Sequence, residues 1–561
     1  MPARRRVFGV FRRVSVWLAG LAVVAPVAWA QPLSLASDPA VMARVALGEL
    51  RHGQAAAGVW RDGKAAQALV SAGDPVPAAE PGAGAPPLFE IGSISKVFTG
   101  LLLAQAVERG DLRLDDRLGD VLAGKVAFSS PAVASITLRQ LVTHSSCLPR
   151  LPPDFREAGP PESPYRRYDR PRMWAALASL QLTQAPPCEA RYSNLGFGVL
   201  GEILSERSGK PWSELVRERI TAPLGMTDTV QHLGEQAPRL APGFDGRQPT
   251  TPWDMLAFAG AGALRSTVPD LLRFSRAVLA GRNGPLGPAA ERMLTPLGRI
   301  DTGEIGYGVW IRGPKERRSY FHEGWTSGYR SVWMVLPATQ EALVLLTSNG
   351  QAQPWRVRNA IAGSYYPVAA TPFTLPADQL AAYAGLYRSS VGGTITVVAQ
   401  DGVLYRRPVN VAYRPLSPAG PDRFVDREQG LSYQFARQDG QPASATVTQG
   451  GGEQTLTRID AHTPALAVLP DAVAAGYAGR FVARRVFGAD LVLDVRAADG
   501  QLAVQSGNFP RVPVFPMPGQ PDRFAYEVVR AELQFERDTS GRVVALVLDQ
   551  NGEHRAERVA D

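Results

Sequence analysis

At 561 residues with 45% apolar side chains, the chain is long enough for two to four domains with packed cores, which excludes wholesale disorder. The formal charge is +8, but five arginines of the first thirty residues supply much of it; without them the balance is +3, with no long basic run to grip nucleic acid. Six scattered histidines and two cysteines show no metal-ligand spacing, so no metal site is expected.

Residues 1–30 read as an export signal. Arg4, Arg5, Arg6, Arg12 and Arg13 form a basic start, Val14 to Ala25 is apolar, and Ala28-Trp29-Ala30 is a small-x-small cleavage site before Gln31. The apolar run is short for a bilayer span; a retained anchor helix is the alternative. Arg5-Arg6-Val7-Phe8 has a twin-arginine flavour, and no cysteine follows the cleavage site to carry a lipid. The expected location is periplasmic or secreted, with no stable membrane span after cleavage.

Residues 31–366 alternate helical and strand patterns. A helical run covers Leu101 to Glu108, and strand-like runs cover Ser331 to Leu336 and Ala342 to Leu346. The expectation is an α/β (α+β) domain, a mixed sheet with helices packed on it. After Tyr366 helical periodicity fades, and an internal repeat appears. Tyr383-Ala384-Gly385-Leu386-Tyr387 recurs as Tyr477-Ala478-Gly479-Arg480-Phe481, and Pro421-Asp422-Arg423-Phe424 recurs verbatim as Pro521-Asp522-Arg523-Phe524. Two small antiparallel β domains, barrels or sandwiches, are expected over 367–463 and 464–561, their aromatic positions more often core than ligand cage.

The chemistry concentrates before residue 330. In Phe89-Glu90-Ile91-Gly92-Ser93-Ile94-Ser95-Lys96, a strand-like approach ends at Gly92 and a helix follows. Ser93 then sits near a helix N-terminus, where unpaired backbone N–H groups favour a developing oxyanion, and Lys96 shares its helix face. The chain has only five lysines, Lys64, Lys96, Lys125, Lys210 and Lys315, and uses arginine elsewhere. Arginine serves most solvated roles but cannot give up its proton, so a lysine kept three residues after a serine points to a base. Tyr192-Ser193-Asn194 offers a phenol that can relay a proton and an amide that can hold a substrate carbonyl. His322-Glu323-Gly324-Trp325 precedes a strand-like run and has a glycine where substrate backbone can approach. Cys147 and Cys188 in an exported chain invite a disulfide; two buried thiols are the alternative.

In this order and spacing the three motifs resemble the β-lactamase-related serine hydrolases, which include class C β-lactamases, D-Ala-D-Ala carboxypeptidases, D-aminopeptidases and carboxylesterases. The runs Ile136 to Ser146, Pro223-Leu224-Gly225-Met226 and Gly262 to Thr267 match further signatures of that family. The likeness covers about residues 36 to 365, and the two trailing β domains resemble the lipocalin-like barrels of some members. The resemblance implies a β-lactamase/transpeptidase-like domain with a mainly antiparallel sheet, and attack by Ser93 with Lys96 and Tyr192 moving the proton. It also implies an oxyanion hole from the backbone N–H groups of Ser93 and Trp325, substrate orientation by Asn194, His322 in place of the lysine of the family's Lys-Thr-Gly triplet with Gly324 at its end beside the substrate, and no cofactor. The expected substrate is a small molecule or short peptide, an ester or a D-amino-acid amide, with cell-wall peptide among the candidates. A D-Ala-D-Ala carboxypeptidase, a class C-type β-lactamase, or a degenerate member that binds cell-wall peptide or a partner without turnover are the alternatives. Two departures stand out. Glu323 replaces the threonine of Lys-Thr-Gly and would repel a substrate carboxylate unless protonated or turned away. Cys147 stands where a glycine is usual. In the resembled fold, the segments carrying Cys147 and Cys188 both border the cleft.

Overall fold

The computed structural model describes residues 33–559 apart from short stretches at 74–83, 156–162, 301–302, 367–372, 410, 427–428, 450–451, 462–467, 487–488, 507–510, 518, 528–530 and 551. The export-signal reading of residues 1–30 lies outside the described residues. Among those described, no helix is long and apolar enough to cross a membrane.

Eight antiparallel strands make the central sheet, in the order Lys64–Ser71, Gln54–Arg61, Glu341–Thr347, Arg330–Leu336, Ser319–Trp325, Trp310–Arg312, Gly303–Ile305 and Gly298–Ile300. The hairpin at the start of the domain thus pairs with a strand near its end, Ala55 opposite Thr347. The central strands are apolar on both faces because both are covered. Val332, Met334, Leu343 and Leu345 face the helices Pro39–Leu47 and Pro354–Tyr365. Trp333, Val335, Val344 and Leu346 face the larger helical layer.

One helix of that layer, Ser95–Glu108, is buried nearly all round, so it lacks the polar stripe of a surface helix. Neighbours close on it through polar side chains as well as apolar ones. Leu264 N donates to Ser95 Oγ at 3.0 Å, Thr99 Oγ1 donates to the Gly260 carbonyl at 2.7 Å, and Trp212 Nε1 donates to Thr99 Oγ1 at 3.1 Å. The chain at Tyr307 presses directly on Gly100.

The two β domains are closed eight-stranded antiparallel barrels, with strands running from Gly385 to Asp460 and from Gly479 to Val559. Aromatic residues fill both interiors: Tyr383, Tyr387, Phe424, Tyr433 and Phe435 in the first, Tyr477, Phe481, Phe524 and Phe535 in the second. The duplication extends to a polar clasp. Tyr383 Oη donates to Asp422 Oδ1 at 2.7 Å, and Arg437 Nε donates to the same oxygen at 2.7 Å. Tyr477, Asp522 and Arg537 repeat the arrangement at 2.7 and 2.9 Å, and both aspartates hold a positive φ. The barrels meet through Gln501, whose amide bridges the backbone of Tyr413, and through Arg407 and Glu527, 2.6 Å apart.

A methyl group on Gly100 would lie 1.8 Å from the Tyr307 carbonyl oxygen, a backbone atom that cannot swing aside. Gly100→Ala is expected to cost about 2–3 kcal/mol in a urea melt, through strain that outweighs alanine's better helix propensity. A midpoint equal to the wild type's would show that the helix and the Tyr307 segment are not tightly apposed.

Candidate active site

The strand Phe89–Glu90 leads through Ile91 to Gly92, whose φ of +48° favours glycine, and the 3₁₀ turn Gly92–Ile94 runs straight into the helix Ser95–Glu108. Ser93 therefore sits on the first turn at the head of a buried helix. Beneath the turn, Glu90 and Arg265 form a buried ion pair at 2.9 Å, and Glu90 Oε1 also accepts the Trp253 backbone N–H. Burial pushes the Glu90 carboxyl up, and Arg265 opposes the shift.

Lys96 is wholly buried. Its Nζ lies 3.0 Å from Ser93 Oγ, 2.9 Å from Asn194 Oδ1 and 2.6 Å from the Ala261 carbonyl oxygen. No carboxylate is among these contacts. Burial pulls the amine's pKa well below its ordinary value, and the positive charge of Arg150 adds to the effect. A neutral amine has two N–H donors and one lone pair. Asn194 Oδ1 and the Ala261 carbonyl can only accept, so they take the two donors and leave the lone pair for the Ser93 hydroxyl proton.

Tyr192 closes the other side. Its side chain lines the cleft beside Ser93, and burial holds the phenol's pKa far above the ordinary value, with Ser93 opposing the shift. Lys96 Nζ lies 4.8 Å from the centroid of its ring. The neighbouring main chain is clamped. Arg191 N donates to the His144 carbonyl, Ser193 N to His144 Nδ1, and Cys188 N to the Ser145 carbonyl. Cys147 and Cys188 are bonded, with Cα atoms 5.3 Å apart. Ser193 caps the helix Asn194–Ser208 by accepting from Gly196 N, and its hydroxyl donates to the Pro149 carbonyl. Asn194, one residue on, is thereby aimed inward, with Nδ2 donating to Tyr165 Oη at 3.1 Å.

His322, Glu323, Gly324 and Trp325 lie within a strand, Ser319–Trp325, whose partner is the strand-like run that follows them. His322 Nδ1 is 2.6 Å from the Glu323 carbonyl oxygen, which requires a donor and so places the proton there. Nε2 is then an acceptor, buried and without a partner among the described residues, on a side chain that lines the cleft. Burial draws the imidazole pKa down to about 3, a charge on Lys96 pushing the same way and the carbonyl opposing. Glu323 does not stand as a bare charge: its carboxylate is 2.9 Å from the Arg358 guanidinium. The repulsion expected of it is met by a counter-charge. A side chain on Gly324 would strike the Ile91 carbonyl, and one on Gly92 would come within 2.8 Å of the Trp325 backbone nitrogen, so this strand lies against the Ser93 turn.

Ser93, Tyr192, Asn194, His322, Glu323, Gly324 and Trp325 line one cleft of about 640 Å³, walled by Phe155, Tyr165, Trp253, Trp310 and Trp355, and Lys96 lies buried behind Ser93. Sequence reasoning missed Tyr165, the Glu90–Arg265 pair, the Ala261 carbonyl and Arg150. Arg265 lies inside a quoted signature, Gly262 to Thr267; a backbone carbonyl has no sequence signature at all. Among the described residues no group of side chains could hold a metal ion.

The Beta-lactamase family model matches residues 43–365, more than half of the chain. The protein belongs to the β-lactamase-related serine hydrolase family. Among curated relatives, the D-alanyl-D-alanine-carboxypeptidase/endopeptidase AmpH of Escherichia coli is 31% identical over 248 residues, 41% of this chain and 62% of AmpH, so the match spans under two thirds of that protein. Penicillin-binding protein 4 of Amycolatopsis lactamdurans is 29% identical over 287 residues, 47% of this chain and 73% of its own. The crystal structure of a β-lactamase/D-alanine carboxypeptidase from Pseudomonas syringae superposes with a TM-score of 0.50 at 18% identity, covering 59% of this chain and 98% of that one, and shows the same fold.

The buried imidazoles set a pH dependence. Below pH about 6.5 the unfolded chain protonates His322 while the folded protein holds it neutral down to about 3, so the unfolded state binds more protons and stability falls as pH falls through that window. His144, also held neutral by burial first, adds in the same direction. His322→Asn should reduce the slope of unfolding free energy between pH 6 and 4 by up to about 1.4 kcal/mol per pH unit. An unchanged slope would mean that His322 protonates freely in the folded protein.

Proposed function

We propose that the protein is an exported serine hydrolase that works through an acyl-enzyme on Ser93, with an ester or D-amino-acid amide as substrate. The observation that supports this most is the three-way environment of Lys96: a buried amine with two acceptors and one serine hydroxyl, and no carboxylate to hold it charged. Lys96 takes the Ser93 proton as Oγ attacks the carbonyl carbon. Tyr192, protonated at rest and beside Ser93 in the cleft, passes a proton to the leaving group while receiving one from the Lys96 side. The backbone N–H groups of Ser93 and Trp325 hold the oxyanion, and Asn194 orients the acyl half. Water then attacks the acyl-enzyme by the reverse proton path, and no cofactor takes part.

A second reading, D-Ala-D-Ala carboxypeptidase or β-lactamase, gains support from the names of AmpH and penicillin-binding protein 4, and from the Glu323–Arg358 pair, which removes the repulsion that Glu323 alone would exert on a substrate carboxylate. A binder without turnover would have little use for a desolvated lysine.

Labelling with a fluorophosphonate and with a fluorescent penicillin, side by side, separates these readings. The hydrolase reading predicts a fluorophosphonate adduct on Ser93 by mass spectrometry, lost in Ser93→Ala, and turnover reduced about a thousandfold or more in both Lys96→Ala and Lys96→Arg. Penicillin labelling of Ser93 in addition selects the second reading. Silence of both probes, or an adduct on another serine, overturns the proposal.

A further inference from the structure

Besides the Ser93, Lys96 and Tyr192 cluster, three charged side chains line the cleft: Arg150, Glu323 and Arg330. Two are occupied. Glu323 faces Arg358. Arg330 donates from Nε to the Gly350 carbonyl at 2.7 Å and lies 3.8 Å from the centroid of the Trp325 ring, packed well enough that burial draws its pKa down to about 10.

Arg150 differs. Its side chain is exposed at the cleft and has neither a carboxylate nor a carbonyl partner among the described residues. Its guanidinium carbon lies 5.3 Å from the centroid of the Tyr192 ring, the ring that also carries Lys96 Nζ. Its main chain is pinned: the Arg150 carbonyl accepts from both Asn194 N and Leu195 N, at 3.0 and 3.1 Å, and the disulfide holds the chain three residues upstream. A fixed backbone thus presents five unspent N–H donors beside the nucleophile. The charge reaches far enough to disfavour protonation of Lys96 and His144. A cation left unpaired next to a buried lysine is a cost to the empty cleft that an anionic ligand would relieve.

We propose that Arg150 is a specificity residue that selects substrates with a carboxylate in the acyl half. The side follows from the wall it belongs to. Arg150 is bonded through its backbone to Asn194, which orients the acyl half in the reading above. A guanidinium fork matches a carboxylate in two parallel hydrogen bonds, and the aromatic side chains Phe155, Tyr165 and Trp253 would flank the apolar stem that carries it. The inference rests on the acyl-enzyme reading and deepens it.

The test uses the full chain and two chromogenic esters, 4-nitrophenyl 4-carboxyphenylacetate and its methyl ester, whose rigid ring keeps the carboxylate from attacking its own ester. The wild type should favour the acid by about tenfold in kcat/KM, the difference lying in KM, and Arg150→Gln should bring the ratio to about one. Arg150→Lys should keep part of the preference and Arg330→Gln should keep all of it. A wild-type ratio near one overturns the inference without any variant, as does a ratio that survives Arg150→Gln or falls instead in Arg330→Gln. Mass spectrometry of Ser93 separates the two levels of the argument. Acylation by both esters without preference removes only the role of Arg150, whereas no adduct from either ester removes the acyl-enzyme reading on which it stands.

Discussion

Everything in the catalytic domain converges on one desolvated amine. An ammonium ion transferred to a dry interior without a counter-charge costs far more than folding can spare, so the group sheds its proton instead. Lys96 meets that condition because the whole helix Ser95–Glu108 is buried, and because its three neighbours are a hydroxyl, an amide oxygen and a carbonyl oxygen. Each neighbour comes from a different part of the chain, and each is fixed by its own device. Ser93 is placed by the turn at Gly92, Asn194 by the Ser193 cap and the clamp around Cys147 and Cys188, and the Ala261 carbonyl by the short helix Ala259–Gly262 packed against the helix Ser95–Glu108. The sheet's part is to bring the strand Ser319–Trp325 against the same turn, which the absence of a side chain at Gly92 and Gly324 permits.

The same logic explains the other titratable groups. Burial lowers the pKa of His322 and His144 as it lowers that of Lys96, and it raises that of the Tyr192 phenol, because each charged form would lose its water. Burial thus pushes the two groups in opposite directions, the Lys96 amine toward its neutral form and the Tyr192 phenol toward keeping its proton, as the proposed base and relay require. Of the charged side chains that line the cleft, Glu323 is paired with Arg358. Farther in, the Glu90–Arg265 pair stiffens the floor under Ser93; removing one partner of such a pair strands a buried charge, at about 3–5 kcal/mol.

Much of this was legible in the sequence, and unevenly. The serine–lysine spacing and the scarcity of lysine pointed to the base, since a helix puts residues three apart on one face. That Lys96 meets Asn194 could be read only through resemblance, because the contact joins residues 98 apart. The Ala261 carbonyl was invisible, as any residue can supply one. Glu323 looked hostile to substrate because its partner, Arg358, sits on a later helix that no local pattern connects to it. In the β domains the verbatim Pro-Asp-Arg-Phe repeat revealed the duplication and turned out to carry the aspartate of the Tyr–Asp–Arg clasp. The matching Arg437 and Arg537 were overlooked, because arginine supplies nearly all of this chain's positive charge and a recurring arginine stands out little.

The central claim is that Lys96 is unprotonated when Ser93 attacks. The second-order rate of fluorophosphonate acylation of Ser93, followed by intact mass from pH 5 to 11, tests it most directly. The account predicts that the rate rises with a single ionisation well below the ordinary lysine value of 10.5 and is flat above it, and that Lys96→Arg abolishes that limb. A wild-type rate still climbing through pH 10, as for a solvated amine, would contradict it.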